Sequence, residues 1–315
     1  MKDLSLPSVA IIVLNWNSYA DTFECLRSLG ELNYPDFKVF LVDNDSKDDS
    51  YSRLIDDFNN SIFNLDIEFI QTGENLGFAG GNNAAIRRAY SEEYGYYWLL
   101  NNDTIVDKNA LLQLVVGVKQ KEDVGIVGSK IYYCGTDVIW FAGGRVNTWS
   151  GETRHIGLNE IDNGQFDTEM EVDYITGCSL LLKKQLLEDI GYMEEDYFLY
   201  YEETDWNIRA KSKGWRILYI PSSVIHHKVS KSSGGIENIS PNKEYYKIRN
   251  RIIFIKRTQS LLKYIYSISY SMYRGIKSIL GVLLKNKNRK AERIRLIFLG
   301  FSHACLNKMG PLRDK

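Results

Sequence analysis

Short apolar runs alternate with amphipathic stretches through the first half of the chain. Strand-like runs fall at 8–14, 38–42, 67–71, 96–100 and 124–128. The fourth, Tyr96-Tyr97-Trp98-Leu99-Leu100, is short, apolar and aromatic, as a buried strand is. Helical patterns lie between the runs near 19–29, 48–58, 79–91 and 107–120. Asp48, with Ser46 close by, is a fitting N-cap for the second. Strands alternating with helices predict an α/β fold: a mostly parallel sheet with helices on both faces. The pattern loosens over 131–175, where Gly135, Gly143, Gly144 and Gly151 punctuate short extended pieces, read as hairpins and an active-site loop. Residues 176–190 read as strand then helix, 202–213 as a helix, and two short strands flank Pro221.

A second helical pattern closes the chain. Leu261, Ile265, Ile268, Met272, Ile276, Ile279 and Leu283 recur at spacings of three and four, which puts them on one stripe. Lys263, Arg274 and Lys277 fall opposite. Such a basic amphipathic helix suits an anionic membrane surface. Its charges interrupt the apolar run and argue against a spanning helix. The competing reading packs the stripe on the body or on a second subunit, as in a homodimer. Segment 291–308 also reads as a helix, with Arg293, Arg295, Phe298 and Phe301.

Charge sharpens that division. Residues 245–315 hold 17 Lys/Arg and 2 Asp/Glu, so +15, while residues 1–244 hold 22 and 38, so −16. An acidic body and a basic tail imply two jobs, the second at an anionic surface. At 315 residues the chain can carry a large core and an appendage. Cys25, Cys134, Cys178 and Cys305 are scattered and form no CxxC pair, which speaks against a zinc site or a disulfide framework and suits a reducing cytosol. Val9 to Leu14 is too short to span a bilayer and reads as the first strand, not as a signal peptide.

The candidate chemistry sits at strand ends. The second run ends in Asp43-Asn44-Asp45-Ser46. The third leads into Asn75-Leu76-Gly77-Phe78-Ala79-Gly80-Gly81-Asn82-Asn83, and the fourth ends in Asn101-Asn102-Asp103-Thr104. Open α/β sheets bind ligands at such carboxyl edges, and Asp103 there can hold a hard divalent cation that in turn holds a diphosphate. The same residue types are ordinary turn formers. The glycine-rich segment has neither the dinucleotide fingerprint nor a P-loop; its glycines allow close backbone approach to a ligand, or simply start a helix.

These segments, with Ile11 to Asn17, Thr176 to Leu182, Phe198 to Arg209 and His226-His227, occur in the order found in family 2 glycosyltransferases of the GT-A fold. The chain resembles the bacterial rhamnosyltransferase-like group over roughly residues 8–235. Tyr245-Tyr246-Lys247-Ile248-Arg249-Asn250 resembles a motif that follows the catalytic body there. The resemblance implies a GT-A catalytic domain over 1–240 and a helical, basic region over 241–315. It implies an inverting transfer of a sugar, rhamnose among the candidates, from a dTDP- or UDP-sugar to a hydroxyl of a glycan or lipid-linked glycan, in bacterial surface polysaccharide synthesis. It places the enzyme in the cytoplasm, peripheral on the inner face of the cell membrane, with no nucleic-acid partner.

The resemblance also implies roles. Asp43 would accept a hydrogen bond from a uracil or thymine imide. Asn15, Asn75, Gly77, Phe78, Gly80, Asn83 and Asn102 would line the nucleotide and diphosphate. Asp103 and His227 would hold Mg²⁺ or Mn²⁺; Asn101 stands where the two-carboxylate form of the motif has its first acid, leaving one charge at the cation. Glu203 falls at the position of the catalytic base, with Glu202 and Asp205 as competitors. Gly177 and Cys178 would lie on the acceptor side. Acidic residues at a helix start are also simply favoured by the helix dipole. Trp140, Phe141 and Trp149 read as a sugar platform or as core, and Lys228, Lys231, Ser232 and Ser233 as a basic loop that closes on phosphates or stays solvated.

Rival classes fit less well. A glycoside hydrolase needs two carboxylates but no crevice on three strand ends. A nucleotidyltransferase would carry a basic glycine-rich loop after the first strand, where this chain has Asn15-Trp16-Asn17. An RNA-binding tail would lack this apolar stripe, and no RRM or KH signature is present.

Overall fold

The computed structural model describes residues 6–119, 121–229, 241–284 and 289–312. Strands β1 (Val9–Asn15), β2 (Phe37–Asp43), β3 (Ile67–Gln71) and β4 (Tyr96–Asn101) alternate with helices α1 (Tyr19–Leu29), α2 (Ser50–Asn59) and α3 (Gly77–Tyr90). Then come β5 (Thr104–Val106), α4 (Ala110–Lys119), β6 (Val124–Tyr133) and four short strands: β7 (Ile139–Phe141), β8 (Gly144–Val146), β9 (Thr153–His155) and β10 (Met170–Glu171). The body closes with β11 (Ser179–Lys183), α5 (Lys184–Ile190), α6 (Glu202–Ser212) and β12 (Arg216–His227).

Ten strands form one sheet in the order β10-β12-β6-β11-β4-β1-β2-β3, with β5 added to β12 and β7 to β6. β4, β1, β2 and β3 run parallel, as do β6 and β12; β11 enters antiparallel between β4 and β6. β1 is an unbroken run of Val, Ala, Ile and Leu because it lies mid-sheet under α3, which packs on β1 and β2. Ile11, Ile12, Trp98 and Leu99 are fully buried there. Each such side chain contributes roughly 1.5–3 kcal/mol of transfer free energy. The mostly parallel central sheet with flanking helices is the architecture expected.

Two local readings change. Asp48 lies one residue before the N-cap position, Asp49, yet its carboxylate still accepts from the Ser50 backbone N–H (3.1 Å). The two strands expected around Pro221 are one strand, β12. Its register against β6 slips between Ile220 and Val224, a bulge that accommodates a proline unable to donate.

The chain ends in α7 (Pro241–Thr258), α8 (Leu261–Leu284) and α9 (Lys290–Cys305), which pack on one another. α7 has Ile248, Ile252, Ile253, Phe254 and Ile255 buried, in a small core that also takes in Tyr197 from the body.

Candidate active site

The parallel register of β1 and β2 sets Asn15 beside Asp43 at the carboxyl edge. Asn15 is fully buried. Its Nδ2 donates to Asp43 Oδ1 (2.9 Å), Ser46 Oγ (3.2 Å) and Ser50 Oγ (3.1 Å), and its Oδ1 accepts from Thr22 Oγ1 (2.8 Å). Asn15 therefore orients Asp43. The Asp43 carboxylate also accepts from Ser46 Oγ (2.6 Å) and from the Ser46 backbone N–H (3.0 Å). Three bonds are thus given to a buried carboxylate that can accept about four.

The loop into α3 is tied to the same edge. Buried Asn44 accepts from the Leu76 N–H (3.0 Å) and donates to Asn75 Oδ1 (3.2 Å), which in turn accepts from the Gly77 N–H (2.9 Å). Gly77 has φ 71°, and a Cβ there would lie 2.2 Å from the Phe198 carbonyl oxygen. The Phe78 N–H donates to that oxygen (2.8 Å). The close approach expected for a ligand is thus taken by the chain itself. Gly80 lies inside α3, where a Cβ would meet the Leu76 side chain at 2.7 Å. Asn83 is fully buried and bonds Met193 O (2.8 Å), Met193 N (3.2 Å) and Glu195 Oε1 (2.9 Å). Gly80 and Asn83, expected to line the nucleotide, have these packing contacts within the chain. Asn102 donates to Thr22 Oγ1 (2.8 Å), on α1.

β5 pairs antiparallel with the end of β12, Thr104 facing His227. That register brings Asp103 to His227, Oδ1 to Nε2 at 3.1 Å, both buried. His226 points the other way and stacks on Tyr132. The His227 Nδ1 is buried without a hydrogen-bond partner, and Trp140 meets the ring edge-on at 4.4 Å between centroids. Burial opposes charge on this imidazole, but Cys178 and Asp103 outweigh it and push the ring up to about 10. Phe141 is buried, while Trp149 is half-exposed against Tyr266, so only Trp140 of the three aromatics lies at the His227 site. Lys228 is paired with Asp21 and Glu24. Lys231, Ser232 and Ser233 lie outside the described residues.

The Asp103 carboxylate and the His227 Nε2 that faces it are oxygen and imidazole donors of the kind that Mg²⁺ or, with its imidazole, Mn²⁺ takes, the cation displacing the ring proton held between them. Among the described residues no three His, Cys, Asp or Glu side chains gather as a ready-made metal site. Such a pair suits a cation whose remaining ligands are diphosphate and water.

The third part is the start of α6. Glu202 is buried and Glu203 partly so, and each leaves its Oε2 without a hydrogen-bond partner. Burial raises both carboxyls, and the Glu203 charge raises Glu202 further. Two such neighbouring carboxyls give up their protons less readily than ordinary glutamates, and the second does so against the charge of the first. Asp205, 1% exposed, accepts from Arg209 Nε (2.8 Å) and Tyr197 Oη (3.2 Å) and lies 3.8 Å from Arg257. These partners tie α6 to Tyr197 and to α7, and they engage the carboxylate that was a competing candidate base.

One short segment joins these parts. The Ile175 N–H donates to Asn207 Oδ1 (3.1 Å), and Asn207 Nδ2 donates to the Ile175 (3.2 Å) and Glu203 (2.7 Å) carbonyls. A Cβ on Gly177 would meet the Phe78 ring at 2.6 Å. Cys178 is buried, its thiol pushed up by that burial and interacting with His227, and its carbonyl accepts from the Asn101 N–H (3.0 Å). Residues 175–178 thus touch α6, Phe78 at the start of α3, and His227 of the Asp103–His227 pair. Asn207 was not singled out from the sequence; a mid-helix Asn four residues after a candidate base was the available signal.

Comparison with known proteins fits this geometry. The model of the family described as glycosyl transferase family 2 matches residues 9–191. The chain is 26% identical to the low-salt glycan biosynthesis hexosyltransferase Agl10 of Haloferax volcanii, over 98% of this chain and 95% of that protein. It is 24% identical to the poly-beta-1,6-N-acetyl-D-glucosamine synthase of Staphylococcus epidermidis over 72% of its length, and spans about half (52%) of that protein. The mannosyltransferase PcManGT from Pyrobaculum calidifontis, solved with GDP-Man and Mn²⁺, shares the fold at TM-score 0.59 and 14% identity, over 97% of this chain and 89% of that one. S. aureus TarS 1–349 shares it at TM-score 0.57 and 16% identity, over 94% and 80%. With more than half of its residues matched by the family model, on a GT-A framework, the chain belongs to glycosyl transferase family 2 and is a glycosyltransferase.

Proposed function

We propose that the chain is an inverting transferase that moves a hexose or deoxyhexose, rhamnose among the candidates, from a UDP- or dTDP-sugar to a hydroxyl of a glycan acceptor. The observation that supports this reading is the 175–178 segment, which meets Asn207 on the Glu203 helix at Ile175 and interacts with His227 at Cys178. Asp43 accepts the imide N–H of the base. Asp103 and His227 would hold Mg²⁺ or Mn²⁺, which when bound offsets the negative charge gathering on the leaving diphosphate. The acceptor oxygen forms its bond to the anomeric carbon on the face opposite the diphosphate, as the carbon–phosphate-oxygen bond breaks. The hydroxyl proton passes to the Glu203 carboxylate. The test is a panel of UDP-, dTDP- and GDP-sugars assayed for Mn²⁺- or Mg²⁺-dependent release of the nucleoside diphosphate. Turnover of a UDP- or dTDP-sugar supports the reading; turnover of GDP-sugars alone overturns the base assignment of Asp43.

The same reading extends to the tail. α8 buries its small residues Ser267, Ser271 and Gly275 and turns large ones outward, with Leu262, Met272, Ile276 and Leu280 each more than half exposed. An apolar face of this extent on a region of net charge +15 complements an anionic lipid surface, where a lipid-linked acceptor would reside. Among the described residues no helix is long and apolar enough to cross a membrane. In flotation with phosphatidylcholine vesicles, the chain should rise only when phosphatidylglycerol is added, and less at high salt. No flotation, with a dimer in light scattering, would assign the face to a second copy.

A further inference from the structure

The turn that delivers Glu203 has an unusual backbone. Phe198, Tyr200 and Tyr201 have φ of 65°, 68° and 78°, in the left-handed region. Each non-glycine residue there costs about 1 kcal/mol or more and persists only where its surroundings fix it. The Tyr201 hydroxyl donates to the Gly151 carbonyl (2.9 Å), and the Phe198 carbonyl is taken by the Phe78 N–H. The other carbonyls converge on α7. Asn250 Nδ2 lies 3.1 Å from the Tyr197 oxygen and 2.8 Å from those of Leu199 and Tyr200. Arg249 Nε donates to Asn250 Oδ1 (2.8 Å), which fixes the amide's orientation. The other nitrogens of Arg249 reach the Tyr197 carbonyl (2.8 Å), the Gly310 carbonyl (2.5 Å) and the Tyr245 hydroxyl (3.1 Å). Arg249 and Asn250 are both fully buried. A buried guanidinium and a buried amide, both aimed at one strained turn some fifty residues away in sequence, are costly unless that turn must be held.

We propose that Arg249 and Asn250 are positioning residues: they gather the Tyr197, Leu199 and Tyr200 carbonyls into the left-handed turn that fixes where Glu203 enters the site. On this view α7 belongs to the catalytic apparatus, although it lies beyond the sheet and beyond the residues matched by the family model. The proposal rests on Glu203 as the base. It gives the Arg-Asn pair of the Tyr245–Asn250 motif a physical purpose: the forked guanidinium locks the amide, and the amide locks the turn.

The test uses the full chain and release of nucleoside diphosphate from the sugar nucleotide identified by the panel. Asn250→Ala should lower kcat by about 10²-fold, the scale of a misplacement near 1 Å, with KM for the donor and affinity for the free nucleotide unchanged. The decisive readout is the double variant. In a Glu203→Gln background, Asn250→Ala should cost nothing further, because Asn250 acts through Glu203. Equal losses in both backgrounds would make Asn250 a general structural residue and overturn the proposal. Full kcat in Asn250→Ala with loss in Glu203→Gln would also overturn it, leaving the base in place. Full kcat in Glu203→Gln would instead remove Glu203 as the base, and the positioning role with it. Should Asn250→Ala fail to fold, Arg249→Lys, which keeps the charge and loses the fork, takes its place in the same cycle.

Discussion

At the donor edge, Asp43 is held by Asn15 on the neighbouring strand and by Ser46 three residues on, and Asp103 meets His227 because β5 and β12 pair in register. At the proposed base, Glu203 follows a left-handed turn whose Tyr197, Leu199 and Tyr200 carbonyls bond Arg249 and Asn250 on α7. The first region is secured by the sheet itself, with side chains bonded across adjacent strand ends. The second depends on a helix that follows the sheet and on the 175–178 segment for its alignment with the first. The two halves of such a reaction, holding the donor and drawing a proton from the acceptor, are therefore separable in this molecule. Substitutions should separate them.

The largest effect is expected from Glu203→Gln. Turnover should fall roughly 10²–10⁴-fold with nucleotide affinity intact, since only the proton acceptor is lost. Steady-state kinetics beside a binding isotherm checks this. Asp103→Ala should act on the other half, lowering turnover by about 10²-fold and abolishing the increase in nucleotide affinity that Mn²⁺ confers. Thermal shift with UDP or dTDP, with and without Mn²⁺, reads the second effect directly. Asp205→Asn should touch neither half chemically. It breaks a buried ion pair and should lower unfolding free energy by about 3 kcal/mol, measured by urea denaturation.

The smallest effect concerns Glu202. With Glu203 as the proposed base, Glu202→Gln should leave turnover close to that of the parent chain. The acid limb of the pH–rate profile belongs to Glu203. Burial raises that carboxyl, and the base works only when ionised. Activity should therefore be full above the raised value and fall as pH drops through it, at a midpoint above the ordinary glutamate range. A limb that vanishes in Glu202→Gln would transfer the role to Glu202.

The same contrast governs what could be read from the chain. β1 to α3 were legible because buried parallel strands and amphipathic helices carry their periods locally. Asp43 and Asp103 were legible because strand ends are where such sheets bind ligands. Long-range packing hid the rest. Asn83 looked like a ligand contact next to a glycine-rich loop, but it bonds Met193, more than a hundred residues away. β12 was split by a proline that the sheet absorbs in a bulge. α7 falls in the region read as helical from the resemblance, but no apolar stripe marked it, because it buries Arg249, Asn250 and Arg251 along with its isoleucines and so has no clean polar face. The apolar stripe on α8 was read as meeting a membrane or as packed on the body or a second subunit; Leu261, Ile265, Met272, Ile276 and Leu283 face outward, while the helix seats itself on serines and a glycine.

The central claim is that the ends of β1, β2 and β4 form a nucleotide-sugar crevice completed by Asp103 and His227. Calorimetric titration of UDP, dTDP and GDP into the full chain with Mn²⁺ tests it most directly. The account predicts binding of UDP or dTDP that weakens without metal, is lost in Asp103→Ala and is unchanged in Glu203→Gln. Binding that ignores Asp103, or no binding of any of the three nucleotides, would contradict it.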